Sequence, residues 1–203
     1  EQEYWSLMVN VYLNLGDDSK AASTLEIIRR MGQASPKNLG LLGDIYLNQQ
    51  AFSLALEAYQ EALKTGDGLP AETPLRTVDI LYTYGSYQLA EQLIKDMRAR
   101  YGNSLNKEQS MKLLTIEAGL ASARGDEDAA RQSLEKIVKQ DATQAGALIE
   151  LARIYYKQAR KLRIEMTPGD TDTEMEISEL VQRAILKLEQ AARHQDFRLE
   201  ALT

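Results

Sequence analysis

Two eight-residue stretches of this sequence decide the fold. The first is Trp5-Ser6-Leu7-Met8-Val9-Asn10-Val11-Tyr12, and the second, 34 residues later, is Leu39-Gly40-Leu41-Leu42-Gly43-Asp44-Ile45-Tyr46. Both carry a large apolar residue at their first, fourth and eighth positions. The same offset continues beyond them, where three apolar residues match three others: Ala21, Leu25 and Ile28 over Ala55, Tyr59 and Ala62. A match at a fixed period over two whole units predicts an internal repeat.

Small residues mark the later units of the repeat. An alanine is expected near the start of each second helix, with intervals of 34, 35, 40 and 54 residues, at Ala21, Ala55, Ala90, Ala130 and Ala184. A glycine stands five residues before three of these alanines, at Gly16, Gly85 and Gly125. Glycine accepts the positive φ that ends a helix, so each of these glycines predicts a turn between two helices. Gln50 occupies that place in the second unit, at a modest expected cost.

The apolar residues between these marks recur every three or four positions, which is the period of an α-helix. Pro74 suits the first turn of a helix, and Asn106 is a good N-cap. The acidic pairs Asp17-Asp18 and Glu127-Asp128 are expected at helix starts, where the helix dipole favours negative charge. No long stretch alternates with period two, so the sequence predicts an all-α chain.

These residues resemble the tetratricopeptide repeat (TPR) family over nearly the whole chain. The resemblance implies a right-handed α-solenoid of about five helix–turn–helix repeats, because neighbouring helix pairs must cover each other's apolar faces. We expect a single repeat domain over 1–203 that is a segment of a longer protein. Its repeats are expected at 3–34, 37–68, 73–104, 107–141 and 144–195, with an insertion near 164–178 and the start of a further helix at 196–203.

Composition excludes several classes of site. The 203 residues carry a net charge of −6 and a pI near 5.0, without a basic block, which argues against nucleic-acid binding. The absence of cysteine excludes disulfides and thiolate metal sites, and the single histidine, His194, gives no support to a triad or a multi-histidine metal site. Gly66-Asp67-Gly68 lacks the following Lys-Ser/Thr of a phosphate-binding loop. We therefore expect no enzyme activity, no cofactor, no metal and no membrane-inserted segment.

The TPR resemblance also implies a binding groove lined by the first helix of each repeat, with a protein or peptide as partner. Its expected contacts are Asn10, Leu13, Asn14, Asp44, Leu47, Asn48, Asp79, Tyr82, Arg153, Tyr156 and Lys157, with Ser6, Thr83, Thr115, Gly119, Ser122 and Ile149 on the same face. This surface is expected to be acidic in the middle and basic at its far end. Repeated asparagines can bind a peptide backbone through both donor and acceptor groups. Asp44 would repel a carboxylate, which argues against the subfamily that binds chaperone C-termini.

The tyrosines divide into two groups. Tyr12, Tyr46 and Tyr155 occupy an inter-helix packing position, whereas four others fall outside that register and are candidates for contact residues: Tyr82, Tyr84, Tyr87 and Tyr156. Thr167-Pro168-Gly169-Asp170 predicts a break after a basic run, followed by an acidic loop that either pairs with the basic run or contacts a partner.

Two alternatives to a peptide-binding scaffold remain open. One is self-assembly through the C-terminal edge, where Phe197, Leu199 and Leu202 would pack against another copy. The other is a targeting module of an enzyme whose catalytic domain lies elsewhere. The opening Glu3-Tyr4-Trp5 and the lack of cysteine slightly favour the bacterial envelope over the cytoplasm.

Overall fold

The computed structural model describes residues 2–65, 68–167 and 169–193. All regular elements in these ranges are helical, which confirms the predicted all-α class. The α-helices are α1 (Gln2–Asn14), α2 (Asp18–Arg30), α3 (Pro36–Asn48), α4 (Phe52–Lys64), α5 (Glu72–Thr83), α6 (Tyr87–Tyr101), α7 (Lys107–Ala123), α8 (Glu127–Gln140), α9 (Ala145–Glu165) and α10 (Thr171–Ala192), and a short 3-10 turn follows α6 at Gly102–Ser104.

The chain forms two compact units that meet in sequence between Ser110 and Met111, within α7. In the first unit α1 packs on α2, α2 on α3, α3 on α4, α4 on α6 and α5 on α6. In the second unit α9 packs on both α8 and α10. The prediction of one continuous repeat domain with the boundaries given above stays a prediction.

The turns form as the glycine pattern predicts. Gly16, Gly85 and Gly125 have φ of 71°, 73° and 75°, and each lies just beyond the end of a first helix. Gln50 takes the same place with φ 58° and is the one non-glycine residue with positive φ in the described part of the chain. A left-handed conformation costs a residue with a Cβ roughly 1–2 kcal/mol, so this turn forms under strain.

Polar side chains start several of the helices. Asn106 accepts a hydrogen bond from the Gln109 amide at 2.8 Å, and the Gln109 side chain accepts one from the Asn106 amide at 3.1 Å. This reciprocal pair confirms Asn106 as the N-cap of α7. Asp17 and Asp126 cap α2 and α8 in the same way, through the backbone amides three residues further on.

The small residues allow the helices to approach closely. Ala21, Ala55, Ala90 and Ala130 are each the fourth residue of their helix and are at most 1% exposed. The predicted position of Ala184 near the start of a helix is wrong, because α10 begins at Thr171 and Ala184 is its fourteenth residue. In the first unit such alanines pack beside larger side chains in one apolar cluster: Val9, Ala21, Ala22, Leu25, Ile28, Leu42, Ile45 and Ala58. In the second unit the core joins α7 to α10 through Leu114, Ala118, Leu134, Ile137, Leu151, Ala152, Tyr155 and Ala184.

The prediction of an acidic loop near 164–178 is wrong over most of that range. Helix α9 continues to Glu165 and α10 begins at Thr171, so the extra residues lengthen both helices of the last pair. Asp170 caps α10 by accepting hydrogen bonds from the Thr173 amide at 3.0 Å and the Thr173 hydroxyl at 2.6 Å. Negative charge is favourable in the first helical turn, so the acids that suggest a loop instead support the start of a helix.

Candidate functional site

A cleft of about 880 Å³ opens in the first unit on the side of the first helices. Side chains from α1 and α3 form one wall, and the connection before α5 forms the other. The residues that line the cleft are Ser6, Val9, Asn10, Ser35, Pro36, Lys37, Asn38, Gly40, Leu41, Asp44, Gly68, Leu69, Pro70 and Thr73. We refer to this set as the cleft.

The repeat places the polar groups of the cleft. Asn10 and Asp44 are 34 residues apart and occupy equivalent positions on α1 and α3, so both face the same side. Asn38 lies in the first turn of α3, where Ser35 accepts a hydrogen bond from its amide at 3.2 Å. The cleft therefore combines amide and hydroxyl groups with apolar side chains, as many binding pockets do.

Leu69 forms the apolar part of the opposite wall, because Gly40 leaves room for it. A Cβ on Gly40 would lie 2.7 Å from a Leu69 methyl carbon, closer than real Cβ contacts allow. Leu69 is only 9% exposed, and its carbonyl oxygen accepts a hydrogen bond from the Tyr101 hydroxyl at 2.5 Å. The first contact holds the connection against α3, and the second holds it against α6.

Asp44 is held by groups from two other helices. The Tyr59 hydroxyl on α4 donates a hydrogen bond to Asp44 Oδ1 at 2.7 Å, and the Arg76 guanidinium on α5 donates to the same oxygen at 2.5 Å. The Arg76 cation therefore offsets the negative charge with which Asp44 is expected to repel a carboxylate. Burial raises the pKa of the Tyr59 phenol well above its usual value, so it remains a neutral donor at physiological pH.

Gly43 lets Tyr59 reach Asp44. A Cβ at Gly43 would lie 2.8 Å from carbons of the Tyr59 ring, so the ring crosses directly over the bare backbone of α3. Tyr59 is fully buried, while Asp44 keeps about a third of its side chain accessible to solvent. A buried residue of the second helix thereby fixes the position of an acidic side chain in the cleft.

The cleft brings together only part of the predicted groove. Asn10 and Asp44 line it, together with Ser6 and Thr73, whereas Asn14 and Asn48 are exposed at the last residues of α1 and α3. Asp79 and Tyr82 are half-buried on α5, outside the cleft.

Two apolar residues assigned to the groove belong instead to the core, and a third is half-buried against it. Leu47 is 6% exposed and Ile149 is 3% exposed, and Ile149 packs with Ala145, Leu148 and Ala191. Leu13 is half-buried against the core cluster of the first unit. The assignment of Leu47 and Ile149 to an open surface is therefore wrong, because neighbouring helices cover these positions.

The prediction that the far end of the groove carries a net positive charge is also wrong, because both of its cations are paired with acidic side chains. Arg153 pairs with Glu150 at 2.6 Å, and Lys157 pairs with Glu127 at 2.5 Å. Tyr156 lies between them on α9 and is 61% exposed. The second unit thus presents an exposed tyrosine beside two compensated cations.

Sequence reasoning missed several cleft residues. Lys37 and Asn38 lie at the start of α3, and Leu69 and Pro70 lie in the connection between α4 and α5. Gly40, one repeat after Ser6, is the sequence feature that could indicate this wall of the cleft, because a missing side chain on a helix face indicates a close neighbour.

Within the described ranges, no group of three or more His, Cys, Asp or Glu side chains is placed to hold a metal ion. The search of the described helices for a segment long and apolar enough to cross a membrane also finds none. His194 lies outside the described residues, as do Phe197, Leu199 and Leu202.

The repeated helix pairs, the alanine contacts and the glycine turns define the fold of a TPR-type α-solenoid. Solved structures confirm this fold. A TPR repeats protein from Bacteroides fragilis matches with a TM-score of 0.65 and 13% identity, covering 99% of this chain and 94% of its own. YrrB, described as a TPR protein with an unusual peptide-binding site, matches with a TM-score of 0.55 and 15% identity, covering 96% of this chain and 86% of its own.

MamA matches with a TM-score of 0.50 and 16% identity, covering 92% of this chain and 98% of its own. No family model matches the sequence. No curated protein matches it either. The structural matches thus show the fold, while sequence identity to these three proteins is only 13%, 16% and 15%.

Proposed function

We propose that this chain is a non-catalytic scaffold that binds an extended protein segment in the cleft. The observation that carries the proposal is the cleft itself, about 880 Å³ in volume and lined by Asn10, Asn38, Ser6 and Thr73 beside Leu41 and Leu69. Each asparagine amide offers two donors and one acceptor oxygen, which suits the alternating N–H and C=O groups of an extended backbone. The apolar residues offer contacts for side chains of the bound segment.

The charges of the cleft favour a segment that is neutral or weakly acidic. Arg76 compensates Asp44, which leaves Lys37 as the exposed cation among the lining residues. An acidic side chain of the bound segment would find its partner at Lys37. A strongly basic segment would have to displace Arg76 from Asp44.

The cleft is held in shape before any partner arrives, which reduces the entropy lost on binding. Tyr59 and Arg76 position Asp44, and Tyr101 positions the connection that carries Leu69. YrrB supports the proposal at the level of the fold, since a protein of this architecture is described as having a peptide-binding site.

The proposal is tested by selecting peptides from a random display library on the purified chain and measuring their affinity for variants. Asn10→Ala/Asn38→Ala should weaken binding on the order of ten-fold, as expected when two contact residues are truncated. The control Gln92→Ala/Gln132→Ala removes exposed amides from α6 and α8 and should leave affinity unchanged. Equal affinity of the asparagine variant and the wild type would overturn the cleft assignment.

Asn14, Asn48, Asp79 and Tyr82 are proposed as an extension of the same site, and a separate contact surface is proposed in the second unit at Arg153, Tyr156 and Lys157. Asn14→Ala/Asn48→Ala tests whether the bound segment continues by one helical turn toward the ends of α1 and α3. The same library tests Asp79 and Tyr82 on α5, and Arg153, Tyr156 and Lys157 on α9, by single alanine substitution. Loss of affinity in any of these variants would extend the binding surface beyond the cleft.

Self-association is a second candidate, favoured by a different observation. Helix α1 and the residue that follows it expose four apolar side chains at helical spacing, with exposures of 62% for Tyr4, 63% for Leu7, 46% for Val11 and 74% for Leu15. Exposed apolar patches of this kind mark interaction surfaces. Light scattering over a concentration series should then show dimers that Leu7→Glu/Leu15→Glu dissociates. A wild-type mass that stays monomeric at all concentrations would contradict this candidate.

A further inference from the structure

Two stretches without charged residues meet at one edge of the first unit. Residues 45–56 and 80–90 contain no Asp, Glu, Lys or Arg, although 27% of the chain is charged. Phe52 at the start of α4 contacts Tyr84 at the end of α5, with ring centroids 5.4 Å apart and planes tilted by 54°. Tyr82 and Tyr87 form a second pair at 5.8 Å and 38°. We refer to Phe52, Tyr82, Tyr84 and Tyr87 as the aromatic edge.

The aromatic edge is distinct from equivalent turns elsewhere in the chain. The turn between α1 and α2 carries Asp17 and Asp18, and the turn between α7 and α8 carries Arg124 and Asp126. Those turns are thus charged, whereas the aromatic edge has only rings and hydroxyls. A surface of this composition suits a ligand that is itself uncharged.

Part of each ring pair remains open to solvent. Tyr84 is 58% exposed and Tyr87 is 39% exposed, and neither pair stacks face to face. Exposed tyrosine offers a flat apolar face together with a hydroxyl that donates a hydrogen bond, and for this reason it is common at binding surfaces.

Backbone strain lies at the same edge. Gln50 has φ 58° in a turn where glycine stands in the equivalent places, and it precedes Phe52 by two residues. Strain of this kind persists where the surrounding structure enforces it, and it concentrates at functional sites. The side chain of Gln50 is an exposed amide donor beside the aromatic edge.

We propose that the aromatic edge is a second binding surface, separate from the cleft, for a proline-rich segment in the polyproline II conformation. Such a segment has no internal hydrogen bonds, so its carbonyl oxygens are free to accept from the tyrosine hydroxyls and the Gln50 amide. Its pyrrolidine rings pack on aromatic faces, the mode by which aromatic-lined surfaces recognise proline-rich peptides. Neither interaction requires a charged residue.

Fluorescence anisotropy with fluorescein-labelled decaproline tests the proposal, with a labelled Gly-Ser decapeptide as the control peptide. The wild type should bind decaproline saturably and the control peptide not at all. Tyr84→Ala/Tyr87→Ala should weaken decaproline binding on the order of ten-fold. The control variant Gln92→Ala/Gln132→Ala changes exposed side chains on α6 and α8, away from the aromatic edge, and it should bind as the wild type does.

Gln50→Gly provides a variant that does not threaten folding. It relieves the positive φ and should raise the melting temperature, while the loss of the amide lowers decaproline affinity by a few-fold. An unchanged affinity in both Gln50→Gly and the double tyrosine variant would overturn the proposal even if decaproline binds.

A cleft variant distinguishes failure of the aromatic edge from failure of the proposed function. Asn10→Ala/Asn38→Ala alters only the cleft and should bind decaproline normally. If this variant loses decaproline while the tyrosine variant retains it, the aromatic edge is not the site and the cleft is. If labelled chitohexaose binds in place of decaproline and the tyrosine variant abolishes that binding, the surface recognises carbohydrate and the present proposal is wrong.

Discussion

The hydroxyl of Tyr59 donates a hydrogen bond to the carboxylate of Asp44 across 2.7 Å. This contact joins Tyr59, which is fully buried on α4, to the cleft beside α1 and α3. Tyr59→Phe keeps the ring but removes the donor, so the free energy of unfolding should fall by about 1 kcal/mol and selected peptides should bind more weakly. Urea denaturation and peptide affinity measure the two effects.

Tyr155→Phe is the matched control for that substitution. Its hydroxyl donates to Glu135 at 3.0 Å in the second unit, so the variant should lose similar stability and keep the affinity of the cleft. Equal loss of affinity in both variants would show that reduced stability, rather than the position of Asp44, weakens binding.

Gly43 should tolerate no side chain. Gly43→Ala places a Cβ 2.8 Å from the Tyr59 ring, and overpacking of this kind typically costs about 1–3 kcal/mol. Gly146→Ala is the control, because a Cβ there meets no atom within 4 Å and alanine has a higher helix propensity than glycine. Thermal melts should therefore move in opposite directions, and a neutral Gly43→Ala variant would contradict the close crossing of Tyr59 over α3.

The Arg76–Asp44 pair should control charge preference more than stability. Arg76 is 57% exposed, and an ion pair at the surface contributes at most about 1 kcal/mol. Arg76→Gln should leave the melting temperature nearly unchanged and expose the charge of Asp44, so that a repeated library selection enriches Lys and Arg. Selection of the same neutral peptides by both proteins would contradict the compensating role of Arg76.

The raised pKa of Tyr46 predicts that the protein loses stability in alkaline solution. Burial, followed by the 2.9 Å hydrogen bond to Glu26, raises the pKa of Tyr46 to about 12. The unfolded phenol ionises near 10, so between these values the folded state binds more protons and stability falls as pH rises. Urea denaturation at about pH 8 and about pH 11 should show a smaller decrease for Tyr46→Phe than for the wild type. An identical decrease in both proteins would contradict this linkage.

Local rules predict much of this fold. The positions of Ala21, Ala55, Ala90 and Ala130 follow from their period, and the positive φ of Gly16, Gly85 and Gly125 follows from the need to end one helix and begin the next. Asn106 is identifiable as a cap because its hydrogen bonds join residues only three apart. Such features depend on residues close together in sequence, and for that reason they can be recognised before the structure is known.

The candidate site depends on contacts that sequence spacing does not specify. Leu47 and Ile149 hold groove-like positions but are covered by other helices, and Asp44 is compensated by an arginine 32 residues away. The wall formed by Leu69 depends on the path of an irregular connection. The sequence predicts a loop for the acids after Asp170, because composition alone does not distinguish an acidic loop from an acidic first helical turn.

The most direct test of the central claim is the mapping of a library-selected peptide on the ¹⁵N-labelled chain by NMR chemical-shift perturbation. The account predicts saturable shifts of the backbone amides of Ser6, Asn38 and Thr73 and of the Asn10 side chain, with little change on the outer faces of α6 and α8. Shifts confined to residues outside the cleft, with those four unchanged at saturation, would contradict it.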